Sequence, residues 1–393
     1  MASIKVNELL APNLAGQALT MQTRESFAGW LVSHFPLMYG SIVDRVNVNW
    51  MDFLRSLQPS TFPPALSWAI RALVTFHMAT LQGNEHAVYC ARHMYGQGLS
   101  SLRQLLQSPR ALTDESLAAC VLLGGYEVVD GNSQYSWIRH TRGIRQIMCA
   151  RGPSAHTTGF GRTLVLCFGP FLIAESFILG EPCFLGRPEW TGLLDEIYPD
   201  QKEGQLSLGQ AMDEAFNEAA MCPGYYAITR SVLAAEAEPG ILKLQGSLLA
   251  QIARSREHLI DLRTIFKDVL KNEASAAVPP EPASTVDTKR LAQQTLGGIS
   301  AAMALLDQLT RLLQSDRQRK LNYPKGMNVP DPWRVYPQRL SLERPEYPDL
   351  NPGISDNGLQ VIGDRLDRFS LGLGVASASG TLPTRVAELE DSA

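Results

Sequence analysis

Seven histidines, six cysteines and a few clustered arginines are the residues of this 393-residue chain whose types and spacing bear on chemistry. His86 and His93 lie seven apart and would share a helical face, where two imidazoles are the beginning of a metal site. No third ligand at helical spacing completes the geometry, so a pair of partly exposed imidazoles is expected. His140 sits between Trp137 and Gly143 in a Trp-x-x-His-x-x-Gly run. A catalytic histidine needs a nucleophile and an orienting carboxylate, and the sequence names neither. Packing is the simpler expectation: an imidazole hydrogen-bonded to the facing helix beside the Trp137 ring, with Gly143 allowing close approach.

The other candidates are weaker. Arg139, Arg142 and Arg145 recur every third residue and read as a solvated helix face in preference to a contact with phosphate or an acidic partner. Arg317-Gln318-Arg319-Lys320 is the densest basic cluster, suited to nuclear import and equally to the negative end of a preceding helix. Cys90, Cys120, Cys149, Cys167, Cys183 and Cys222 include no CxxC pair. The first four fall in apolar helical patterns, and the expectation is buried thiols in a reducing compartment. Gly159-Phe160-Gly161 lacks both the preceding strand and the third glycine of a dinucleotide site. No phosphate loop, nucleophile elbow or His-Glu-x-x-His helix occurs. No catalytic, metal or cofactor-binding residue is therefore assigned, no cofactor is expected, and the chain is not expected to be an enzyme.

Composition narrows the class. A net charge of −4 gives no bulk electrostatic case for nucleic acid, although a local patch is compatible with it. The N-terminal residues lack a charged leader followed by a long apolar run, so no signal peptide is expected. The most apolar segment, Leu164 to Gly180, falls short of the roughly 20 residues that a membrane span needs and contains Pro170 and Glu175. It reads as a buried core helix, kinked near Pro170.

The elements that must position these residues are helices. Thr113 is placed to cap a helix whose first turn holds Asp114 and Glu115, with Leu117, Val121, Gly124 and Val128 on one face. Asp130-Gly131-Asn132-Ser133 supplies turn chemistry. A second helix carries Trp137, His140, Thr141, Ile144 and Met148 on one face and stops at Gly152-Pro153. Helices are also expected over Arg24 to Met38, Asn49 to Leu57, Ala65 to Leu81, and Glu85 to Gln107. Further helices are expected over Leu206 to Thr229 (interrupted at Cys222-Pro223-Gly224), Ile241 to Leu270, and Arg290 to Gln314, with a short one at Asn357 to Phe369. No period-two run suggests a sheet. The fold class is all-α, an irregular multi-helix bundle with short interhelical turns and a Pro-rich C-terminal extension.

Five stretches organise the chain. Residues 1–20 read as a flexible arm, 21–271 as the helical domain, 272–289 as a mobile linker, 290–320 as a helix packing back on the bundle, and 321–393 as a Pro-rich extension and tail.

The acidic first turn, Tyr126-Glu127, Trp137, His140, Gly143 and Arg151-Gly152-Pro153, in this order, resemble the fungal-specific transcription factor domain. That is the helical regulatory region of binuclear zinc cluster regulators. Tyr95, Leu99, Leu102, Leu105 and Leu106 upstream, and Arg162 to Trp190 with Phe184-Leu185 downstream, extend the resemblance. It implies a transcriptional regulator or co-regulator of a fungal pathway, such as a secondary-metabolite gene cluster, located in the nucleus with the cytoplasm as the alternative. The family's zinc cluster needs six closely spaced cysteines among basic residues, and no such run is present. DNA-binding residues therefore stay unassigned. Contact with DNA would be direct through another surface, through a zinc-cluster partner, or through an upstream exon missing from this sequence. The resemblance also implies self-association, for instance as a homodimer, and a small-molecule effector, with no membrane partner. The alternative reading is a helical enzyme or small-molecule-binding protein, with Trp68, Phe76, Tyr95, Trp137 and Phe171 lining an apolar interior.

Overall fold

The structure is a computed structural model that describes residues 23–31, 45–57, 62–130, 136–198, 206–275 and 288–322. Every regular element among them is helical, as the spacing of apolar residues requires. The arm 1–20, the turn at 131–133, most of the linker, the Pro-rich extension and the candidate helix at 357–369 lie outside the described residues. The chain forms two compact units, residues 1–39 with 48–152 and residues 40–47 with 153–393, so the division falls inside the span 21–271.

The first unit begins with helical residues 23–31 (α1) and Trp50–Ser56 (α2), whose Asn49 side chain accepts hydrogen bonds from the Met51 and Asp52 amides. Pro64–Leu81 (α3) starts with proline at its first position, where no amide hydrogen is needed. Gly83, at φ +62, turns the chain into Glu85–Leu106 (α4), capped by Asn84. A methyl group at Gly98 would meet Leu123 Cδ2 at 2.9 Å and Trp68 Cβ at 3.5 Å, so glycine sets how closely α4 approaches its neighbours.

Asp114–Asp130 (α5) and Ser136–Arg151 (α6) are the expected hairpin. Thr113 Oγ1 accepts from the Ser116 amide, and Gly152 ends α6 at φ +78. Arg151 pairs with Asp114, tying the last turn of α6 to the first turn of α5. One expectation needs correction. Instead of presenting one apolar face, α5 is buried all round from Ser116 to Gly124, because α3, α4 and α6 all pack against it.

The second unit is built on Gly159–Leu179 (α7), Leu208–Ala234 (α8), Pro239–Ser275 (α9) and Thr288–Asn322 (α10), with single turns at Pro153–His156, Phe184–Gly186, Pro188–Thr191 and Leu194–Ile197. Helix α7 is long and apolar enough to cross a membrane by composition, but 78% of its most apolar stretch is buried within the protein. It is a core helix, as its sequence predicts, and it continues through Pro170. Helix α8 departs from expectation by running unbroken through Pro223. An interior proline costs about 3 kcal/mol. Burial of Cys222, Pro223, Tyr225 and Tyr226 offsets that cost, which explains why a local breaker does not end the helix.

Helices α9 and α10 pair through a seam that repeats every three and four residues. On α9 it comprises Gln245, Leu248, Ile252, Ser255, Leu259, Leu262 and Phe266, all buried. On α10 it comprises Ala292, Thr295, Ile299, Ala302, Leu306, Leu309, Leu313 and Asp316. Gln245 Nε2 donates to the Leu313 carbonyl at 2.8 Å and to Asp316 at 3.1 Å, and Arg256 pairs with Asp307 at 2.5 Å, so the helices run antiparallel. The expected linker starts later than its composition suggests, since α9 extends to Ser275.

The cysteine expectation holds in part. Cys120 and Cys167 are buried, with burial pushing the Cys120 thiol up to about 12. Cys149 is exposed and Cys90 half-buried, because each lies off the apolar stripe of its helix despite apolar neighbours in sequence.

Candidate functional site

In the second unit, Glu218, Met221, Tyr225 and Ile228 of α8 follow one another at spacings of three and four, which places them on one face. Gln251, Arg254, Ser255 and His258 of α9, at i, i+3, i+4 and i+7, share a face opposite them. The segment 182–188 forms the third wall of a groove of 650 Å³, within the range that holds small organic ligands. Its seat depends on Gly186: a methyl group there would lie 2.6 Å from the Ala220 carbonyl oxygen, a backbone atom that cannot move aside cheaply. Gly186→Ala is expected to destabilise the unit by about 1–3 kcal/mol, measured as a lowered urea midpoint.

The groove's polar floor is a histidine held between two carboxylates. His258 Nε2 lies 3.0 Å from Glu214 Oε2, and Nδ1 lies 2.8 Å from Glu218 Oε1. Hydrogen bonds donated to Glu214 and then to Glu218 push the imidazole up to about 10, against the opposing effect of burial. The imidazole is therefore an imidazolium at neutral pH, and each carboxylate accepts a hydrogen bond from one of its ring N–H groups. Glu218 is 8% exposed, and its second oxygen, Oε2, has no hydrogen-bond partner among the described residues. Beside it, Tyr225 Oη and Ser255 Oγ share a hydrogen bond of 2.8 Å. Arg254 is exposed on the rim with no ion pair among the described residues, and Arg187 reaches Glu189 only at 3.9 Å.

This arrangement has a pH signature. The folded state raises the His258 pKa from an ordinary 6.5 to about 10, so its stabilising effect is complete below the lower value. That stabilisation declines as pH rises through the upper one. Thermal melts should therefore show the full gap between wild type and His258→Gln just below pH 6.5, narrowing above it and closing as pH approaches 10.

The structure places the sequence candidates elsewhere. His140 lies in the first unit, where its Nε2 is 3.0 Å from Tyr95 Oη, and the Tyr95 hydroxyl donates to Glu127. Burial lowers the His140 pKa, so the neutral ring is favoured. The expected packing role is thus observed with two changes. The direct partner is Tyr95 of α4, which links His140 to Glu127 on the facing helix. Close approach occurs at Gly124, where a methyl would meet His140 Cβ at 3.3 Å, whereas Gly143 faces open space. His86 and His93 are both exposed, as are Arg139 and Arg142, while Arg145 is half-buried.

The basic cluster near the end of α10 is engaged within the protein. Arg317 donates to the Leu242 carbonyl at 3.1 Å, Arg319 pairs with Asp316 at 2.5 Å, and Lys320 pairs with Asp316 at 2.8 Å while donating to the Val232 carbonyl. With its side chain 6% exposed, Lys320 is not presented to an import receptor. Gly159-Phe160-Gly161 forms the first turn of α7. Among the aromatics, Phe76 and Tyr95 pack against Tyr126, while Trp68, Trp137 and Phe171 are half-buried. Among the described residues, no group of three or more His, Cys, Asp or Glu has the arrangement to hold a metal. His258 carries no local signal in the sequence, because its partners lie 40 and 44 residues away. Only the Glu214 and Glu218 pair, one helical turn apart, hints at the site.

Residues 20–212 match the family model described as the fungal specific transcription factor domain. An uncharacterised protein of Emericella nidulans is 31% identical over 258 residues, which cover 65% of this chain and 55% of that protein. The chain thus spans about half the length of this curated relative. No solved structure matches.

Proposed function

We propose that this chain, a member of the fungal specific transcription factor domain family through residues 20–212, regulates transcription of the genes of a fungal metabolic pathway from the nucleus. The family match carries the reading, and it includes the α5–α6 hairpin and its Tyr95–Glu127–His140 junction. A biosynthetic cluster for a secondary metabolite is the proposed target. The role is non-enzymatic, with DNA reached through a zinc-cluster protein bound beside it. The internal engagement of Arg317, Arg319 and Lys320 favours entry to the nucleus in company with such a partner over import by that cluster.

The groove of the second unit supports a ligand-responsive regulator, which brings the small-molecule-binding alternative into the same account. Transcript profiling of a deletion strain tests the proposal. Loss of one coherent set of pathway transcripts is expected. An unchanged profile under conditions that induce the pathway contradicts it.

A further inference from the structure

We infer that the groove between residues 182–188, α8 and α9 binds an amphipathic organic acid: its apolar body against Pro182, Met221 and Ile228, its acid group at Arg254, and a hydroxyl or amine donor at Glu218. Three observations converge on this chemistry. The volume of 650 Å³ suits a small organic molecule, and the walls are mainly apolar. Arg254 lines the groove with no ion pair among the described residues, and Arg187 across from it has only a long one, so both are available to a ligand's anion. Glu214 and Glu218 share the single imidazolium of His258 and keep one negative charge between them, so the acid group is assigned to Arg254 and the donor to Glu218. Glu218 lines the groove, and among the described residues its buried Oε2 has no hydrogen-bond partner, which leaves an unused acceptor on that residue.

Apart from Arg254, the polar groups are also held in place before a ligand arrives. Glu214 and Glu218 fix His258 from both sides, and Tyr225 is held to Ser255. Few groups would then have to be ordered on binding. Only the effector role rests on the reading of the chain as a regulator. Binding itself rests on the groove, so the binding and transcription experiments fail independently.

The test uses the full chain and the fluorescent probe 1-anilinonaphthalene-8-sulfonate, which joins an aromatic body to an anion and an amine donor. Decanoate, decanol and decylamine, equal in chain length, then compete for it. Decanoate should displace the probe about tenfold more effectively than decanol, as expected for one charge-assisted hydrogen bond. Arg254→Glu should remove that preference and favour decylamine, and Arg254→Gln should remove it without reversal. Ile228→Trp should weaken all three competitors by filling the groove. Arg254 is exposed, so its variants are expected to keep the fold, which circular dichroism verifies. Equal displacement by the three competitors overturns the inference. So does a decanoate preference that survives both Arg254 variants, or a failure of the probe to bind.

Discussion

Asp213→Ala is expected to cost about 3–5 kcal/mol of stability, the largest effect of any single polar change in the second unit. The carboxylate is 3% exposed and receives Arg45 at 2.6 Å, Tyr198 at 2.7 Å, and Arg162. Both guanidiniums are buried, at 2% and 9% side-chain exposure. Removing the carboxylate leaves two like charges facing each other away from water, with the Tyr198 hydroxyl short of an acceptor. Burial and this carboxylate already hold the Tyr198 pKa well above its ordinary value. The penalty comes mostly from the charges left behind. The triple change Asp213→Leu, Arg45→Met, Arg162→Met should therefore recover most of the loss. Urea unfolding followed by circular dichroism measures both. A loss below about 1 kcal/mol for Asp213→Ala would show that the arginines stay hydrated without their partner.

Tyr126→Ala should cost a similar amount in the first unit, about 3–5 kcal/mol, for a different reason. The ring is 1% exposed, stacked on Tyr95 at 4.6 Å and set edge-on to Phe76 at 5.5 Å, so it joins α3, α4 and α5. Truncation opens a cavity and removes two aromatic pairs. It also frees Tyr95, which orients both Glu127 and His140. The hydroxyl contributes nothing favourable, since Tyr126 Oη is buried with no hydrogen-bond partner among the described residues. Tyr126→Phe should therefore be neutral or slightly stabilising by urea titration. A loss above about 1 kcal/mol for the phenylalanine variant would mean that the hydroxyl is satisfied in solution.

The contrast between the two units shows what local sequence carries. The α5–α6 hairpin was legible because its signals are local: Thr113 as cap, spacings of three and four, and Gly152-Pro153 as the exit. The same spacings define a face without saying how many neighbours cover it, so the all-round burial of α5 has no local signal. Gly143 attracted notice through its motif, yet Gly124 faces His140, because helix register decides which glycine meets the partner. Pro223 looked like a break because propensity is local, whereas the burial that holds α8 together is tertiary. The groove was hidden for the same reason. His258, Glu218 and the loop at Gly186 are brought together only by folding, and no spacing rule connects them. The heptad seam of α9 and α10 was available in the sequence but reads clearly only when the two helices are set side by side.

Chromatin occupancy of the tagged chain in its native host tests the regulatory account most directly. The account predicts enrichment at the promoters of one pathway, lost when the DNA-bound partner is deleted. No promoter enrichment under inducing conditions, with the chain excluded from nuclei, would contradict it and leave the groove of the second unit as the site of a ligand-binding function unconnected with transcription.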